Sequence, residues 1–200
     1  DYGGSIAQRS HLLGDWSGVR SDLAAKGLSL DWTLTQFAAG NSGGLESDSY
    51  YGVKSEALFT LDLDRAGAVP GALVTMRAES RVGYSANTTT GAFLPVNDPM
   101  FFPQPADEDF GLWITEFRFT QLLSTKAGVF VGKITTLGGD LNEFAGGRGD
   151  SQFLTFNGNS VSALFGPYST LGVGAFYNPT PMVNLGTSLV ASTDSSGETG

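Results

Sequence analysis

Apolar and polar positions change their spacing once along this chain, near residue 27. Before that point Leu13, Trp16, Val19, Arg20, Leu23 and Ala24 recur every three to four residues. That spacing predicts a helix of about three turns, with Asp15 as N-cap and Gly27 as its stop. Beyond Gly27 the period becomes two. Leu28, Leu30, Trp32 and Leu34 alternate with Ser29, Asp31, Thr33 and Thr35. In the next run Val53, Ala57, Phe59, Leu61 and Leu63 point one way, and Lys54, Glu56, Thr60, Asp62 and Asp64 the other.

A third strand is expected from about Ala72 to Tyr84, setting Val74, Met76, Ala78 and Val82 against Thr75, Arg77, Glu79 and Arg81. A fourth, near Phe110 to Leu123, sets Trp113, Phe117 and Phe119 against Glu116, Arg118 and Thr120. A fifth begins near Lys126, with Phe130 and Ile134 facing away from Lys133. Weaker strands are predicted near Ser160 to Phe165, Thr170 to Tyr177 and Met182 to Ser192, for a total of about eight. The connections alternate in length. Gly40 to Ser49, the Pro-rich Ser85 to Asp109 and Gly138 to Asn157 are long, whereas Arg65 to Gly71 and the turn at Ser124 and Thr125 are short.

Strands of about ten residues, apolar on one face and charged on the other, are what a transmembrane β-barrel requires, because only a closed barrel pairs every strand backbone group in lipid. A soluble sandwich or lipocalin-like barrel also alternates, but its strands average about five or six residues. The crowding of opposite charges on the polar faces suits a water-filled lumen better than a dry core. Short turns and the helix then belong on the periplasmic side, and the long loops outside.

Composition agrees with this pattern. Glycine makes up 28 of 200 residues, and charged residues are only 16% against a usual share of about 25%. The net charge of −9 leaves no basic stripe to neutralise phosphates, which excludes a nucleic-acid partner. Apolar runs reach only about three or four residues, far short of the roughly 20 of a transmembrane helix. Cysteine is absent, so no disulfide framework or thiolate metal site exists.

The stretch from His11 through Asp31 resembles the N-terminal signature of the carbohydrate-selective porin (OprB) family. That signature is a Leu-Gly-Asp-Trp-Gly-Gly-Leu-Arg type opening, a short helix ending in glycine, and a first strand. Here the opening reads Leu13, Gly14, Asp15, Trp16, Ser17, Gly18, Val19, Arg20, departing at Ser17 and Val19. Further resemblance lies in Gly40 to Leu45, in Leu61 to Asp64 leading to Pro70 and Gly71, and in Asn142 to Ala145. It covers most of the chain and weakens after about Asn159. The resemblance implies an outer-membrane channel of about sixteen strands through which glucose and similar sugars diffuse into the periplasm. With about eight strands and a polar ending from Ser192 to Gly200, the chain is expected to be the N-terminal half of such a barrel. Residues 1–27 would be a periplasmic segment and helix, and residues 28–200 barrel. The alternative is a small eight-stranded barrel with a structural, adhesive or hydrolytic role.

A diffusion channel needs charged and amide groups for sugar hydroxyls, aromatic platforms, no covalent step and no cofactor. Strand parity aims Lys54, Arg77, Arg81, Arg118 and Lys133 inward with Glu56, Glu79 and Glu116; Arg77 and Arg118 are favoured as lying near mid-strand. The same charges equally fit wall ion pairs away from any constriction. Trp113 faces lipid by parity. In the third long loop, at the position where general porins fold a loop inward, Asp140, Asn142, Glu143, Arg148 and Asp150 are candidates for an eyelet, and a solvated loop is the plain alternative. Asp107, Glu108 and Asp109 could hold Ca²⁺ but read more simply as a solvated acidic loop. Arg148, Gly149 and Asp150 spell an adhesion tripeptide that chance supplies easily. His11 is the sole imidazole base, outside the barrel and with no nucleophile motif beside it. The expected partners are therefore diffusing sugars and outer-membrane lipid, and a homo-oligomer is compatible with the reading.

Overall fold

A computed structural model describes residues 4–103, 111–136, 153–156 and 166–197. The α-helix α1 (Val19–Ala25) is followed by strands β1 (Leu28–Asn41), β2 (Asp48–Asp62), β3 (Ala72–Gly83), β4 (Gly111–Leu122), β5 (Ala127–Thr135), β6 (Ser169–Thr180) and β7 (Val183–Val190). The strands form a single antiparallel sheet in sequence order, β1 to β7, left open at both edges. Five of them run 12 to 15 residues, and β1 and β2 extend beyond the expected strand ends into the predicted loop. The β1–β2 connection shrinks accordingly to residues 42–47. The strand predicted near Ser160 to Phe165 lies outside the described residues.

The sheet inverts the usual burial of a globular protein. Lys54, Glu56, Glu79, Arg81, Glu116 and Thr120 are buried on one face, while Leu171 and Leu189 stand bare on the other and Trp32 is 64% exposed. Polar tips on the bare face are satisfied within the wall: Trp32 Nε1 donates to Ser55 Oγ at 2.7 Å, and the Tyr51 hydroxyl to Gln36 Oε1 at 2.6 Å. Such internal pairing is what hydrocarbon demands of any polar group it touches.

The predicted helix is shorter than its sequence period. Gly14, Trp16, Ser17 and Gly18 all take positive φ, so a 3-10 turn at Trp16–Gly18 precedes α1 and Leu13 is left 60% exposed. Asp15 still caps, but across that turn, with its Oδ1 accepting from the Ser21 backbone N–H at 2.8 Å. Gly27 ends the helix at φ 91°, where a Cβ would lie 2.4 Å from the Asp62 carbonyl oxygen. The Asp62 backbone N–H in turn donates to Gly27 O at 2.7 Å, locking helix to sheet.

Two parity expectations fail. Directly opposed residues of an antiparallel pair share a face. Arg77 opposes Glu116 and Ala78 opposes Ile114, so Thr115 is an extra residue in β4. This β-bulge flips the parity upstream of it. Trp113 therefore opposes Glu79 on the polar face, with the Arg81 guanidinium 5.4 Å from its ring centroid, and does not face lipid. In β5 Thr120 opposes Phe130, and Phe117 opposes Lys133. Phe130 and Ile134 thus face inward, and Lys133 stands on the apolar face beside Phe117 and Leu171. Lys133 lies two positions from the end of β5, where its stem can carry the ammonium toward the interface.

This placement is checkable with single-Trp variants reconstituted in lipids brominated on their acyl chains. A protein keeping only Trp32 is expected to be strongly quenched and one keeping only Trp113 weakly. Equal quenching would remove the bulge from the account.

Candidate functional site

The charges meet on β2, β3 and β4. Like charges stand directly opposite one another across β2 and β3, Lys54 against Arg81 and Glu56 against Glu79. An arrangement of that kind is unfavourable taken pair by pair. It is relieved along the diagonals: Lys54 Nζ lies 2.9 Å from Glu79 Oε2, and Arg77 Nη1 3.5 Å from Glu56 Oε1. Arg77 Nε also lies 3.4 Å from Glu116 Oε2, and Arg118 Nη2 3.2 Å from Glu116 Oε1.

Two tiers result. In the first, Lys54 and Glu79 are 2% and 0% exposed. Thr115 Oγ1, brought to this face by the bulge, donates to Glu79 Oε1. The Tyr168 hydroxyl lies 3.0 and 2.9 Å from the two carboxylate oxygens. What closes this tier is the segment from Ser85 to Pro103, which folds back over the wall. Arg81 Nη1 donates to Met100 O at 2.6 Å, Lys54 Nζ lies 3.4 Å from Phe102 O, and Phe102 stacks on Tyr168 at 4.6 Å between centroids. The segment holds its own shape through Asn87, whose Oδ1 accepts from Val96 and Asn97 N–H groups. It is stitched to residues 153–156 by Asp98 N to Leu154 O and Phe156 N to Pro95 O.

The second tier, Glu56, Arg77, Glu116 and Arg118, is less covered. Arg77 is 19% exposed and Arg118 36%. These guanidiniums are the groups of the cluster that a solute on the polar face can reach, and their fixed forks suit neighbouring hydroxyl oxygens.

Of the residues expected from the sequence, Lys54, Glu56, Arg77, Glu79, Arg81, Glu116 and Arg118 are brought together, and Lys133 is not. Asp140, Asn142, Glu143, Arg148 and Asp150 lie outside the described residues, as do Asp107, Glu108 and Asp109. Sequence reading missed Thr115, Tyr168 and Phe102, the first because a bulge leaves no mark in residue type, the others because their partners lie far away along the chain.

At the other end of the wall, Asp31 binds Arg20 Nη2 at 2.9 Å and His11 Nε2 at 3.1 Å, and Ser10 Oγ lies 2.8 Å from His11 Nδ1. The residue types are those of a hydrolytic triad, but its acid is engaged by the buried Arg20, which also donates to Leu30 O at 2.7 Å. A triad needs that carboxylate to stabilise an imidazolium. Here it moors the N-terminal segment to β1.

A sheet with long strands, a packed ion-paired face and a bare apolar face is the wall of a transmembrane β-barrel. The particular barrel it resembles is OprB of Pseudomonas putida. A high-pH structure of that protein superposes with a TM-score of 0.71 at 21% identity, covering 94% of this chain and 46% of OprB. A low-pH structure gives 0.51 at 16% identity, covering 88% and 48%. The chain is thus OprB-like in fold and spans about half of OprB's length. No protein-family model matches it, and no curated protein matches it in sequence.

Breaking the first tier should be costly. Glu79→Gln leaves Lys54 buried without its counter-charge and is expected to destabilise the folded wall by roughly 3–5 kcal/mol. The double variant Lys54→Met/Glu79→Gln should cost clearly less than the two single changes summed, as read by urea unfolding in lipid. Additive costs would show that the pair does not interact.

Proposed function

We propose that this chain forms part of an outer-membrane porin of the OprB type, through which small neutral sugars diffuse passively into the periplasm. The observation that carries the reading is the second tier, two partly exposed arginines paired to buried glutamates on the inner face of a wall whose outer face is bare and apolar. A row of this kind exchanges a sugar's water hydrogen bonds for protein ones without holding the solute tightly, as conduction requires. Diffusion involves no covalent step, so neither an enzyme mechanism nor a cofactor enters.

Topology supports the orientation. α1 and the short connections β2–β3 and β4–β5 share one end of the sheet, which we assign to the periplasm. The covering segment Ser85 to Pro103 rises from the other end and bends inward.

The full-length protein, reconstituted in planar bilayers and in liposomes, should form stepwise channels and admit glucose. Arg118→Ala and Arg77→Ala each remove a pore cation and should shift the reversal potential toward cation selectivity. A full-length protein that opens no channel would end the porin reading.

A further inference from the structure

With the register of β5 established, the inner face of β5, β6 and β7 differs in kind from that of β2 to β4. Among the described residues it carries Gly128, Phe130, Gly132 and Ile134, then Thr170, Gly172, Gly174 and Phe176, then Gly186, Ser188 and Val190, with no charged side chain. Half of the wall is ionic and the adjoining half is glycine and phenylalanine.

The glycines place the rings. Phe130 directly opposes Gly174, where a Cβ would lie 2.3 Å from the ring's Cζ. Phe176 opposes Gly128, where a Cβ would lie 2.6 Å from its Cζ. Each ring is therefore folded down over bare backbone, a cross-strand arrangement that any side chain at the glycine would prevent. Both rings remain half-buried. They are diagonal neighbours on one face, Phe130 a step nearer the charged tier. At the near end the Arg118 guanidinium sits 5.8 Å from the Phe130 centroid and is itself held by Glu116.

We infer that Phe130 and Phe176, folded over Gly174 and Gly128 beside Arg118 and Glu116, form a stacking platform for the apolar face of a cyclic sugar. The chemistry selects that class. A pyranose carries a C–H face that covers a ring and a rim of hydroxyls that the Arg118–Glu116 pair can bond. A purely apolar solute would desolvate the ion pair without replacing its hydrogen bonds, and a purely ionic one would gain nothing from the rings. The diagonal order, Arg118, Phe130, Phe176, descends toward the end that carries α1. A sugar leaving the charged tier thus meets a second, weaker surface along its path.

This inference rests on the porin reading and deepens it. Its test is the flux of glucose relative to sorbitol, an acyclic polyol of similar size without a flat face, through the full-length protein in liposomes, beside the ion conductance of the same preparation. Phe130→Leu keeps an apolar side chain over Gly174 and removes the ring. It should lower the glucose-to-sorbitol ratio by roughly two- to tenfold, the span of a single aromatic contact, with ion conductance little changed. Phe130→Tyr should retain the ratio. Phe176→Leu should act in the same direction and serves as the measurement if Phe130→Leu fails to fold. An unchanged ratio in a conducting variant overturns the platform and leaves the porin standing, whereas a wild-type protein without conductance removes the porin reading and the platform with it.

Discussion

The carboxylate of Glu79 organises the wall. It is wholly buried on β3 and takes Lys54 from β2, Thr115 from the β4 bulge and Tyr168 from the approach to β6. A carboxylate in such a place must be paired and hydrogen-bonded, because the cost of burying it alone is prohibitive. Each partner therefore becomes a positional requirement. The bulge turns Thr115 toward Glu79. Tyr168 comes in with its ring parallel to Phe102, which fixes the loop, and Lys54 continues to the Phe102 carbonyl. One acid thus couples three strands to the segment that covers them.

The same dependence explains why the covering segment lies where it does. Arg81 and Lys54 are like charges placed directly opposite, and Lys54 is ion-paired with Glu79. The other finds a backbone carbonyl, that of Met100, and the ring of Trp113. Backbone from the loop replaces the water that these cations would otherwise need, so the loop is drawn onto the wall by the charges' own demand for partners. Arg77 and Arg118, which this segment does not cover, keep part of their exposure.

Much of the architecture was legible in the sequence because a barrel wall writes its two faces directly into alternation. Leu28 to Leu34, Val53 to Leu61 and Val74 to Val82 predicted both strand and face. Face was misread in two places where charge and aromaticity served as parity markers. Trp113 lies beyond a one-residue bulge, and counting from Glu116 cannot see an inserted residue. Lys133 was aimed inward because it is charged, whereas register places it outside near a strand end that a lysine stem can tolerate. The site was less legible than the fold. Its buried tier depends on contacts between residues as far apart as Glu79 and Tyr168, and on backbone carbonyls whose position residue type does not encode.

Strand parity alone says only that a charge faces inward. Lys54, Arg77, Arg81 and Arg118 are equivalent by that criterion, yet they divide into groups sealed by the protein and groups left open to a solute. Mid-strand position does not make the division, since Arg77 and Glu79 are two residues apart on one strand and belong to different tiers. What separates them, among the described residues, is whether the segment Ser85 to Pro103 supplies carbonyls and rings above them. On a barrel wall the loop therefore decides which inward charges act on a solute, and the glycine-lined half next to them shows the complementary rule. Where backbone is left bare, a ring can fold over it, and the character of the inner face changes from ionic to aromatic within a single strand spacing.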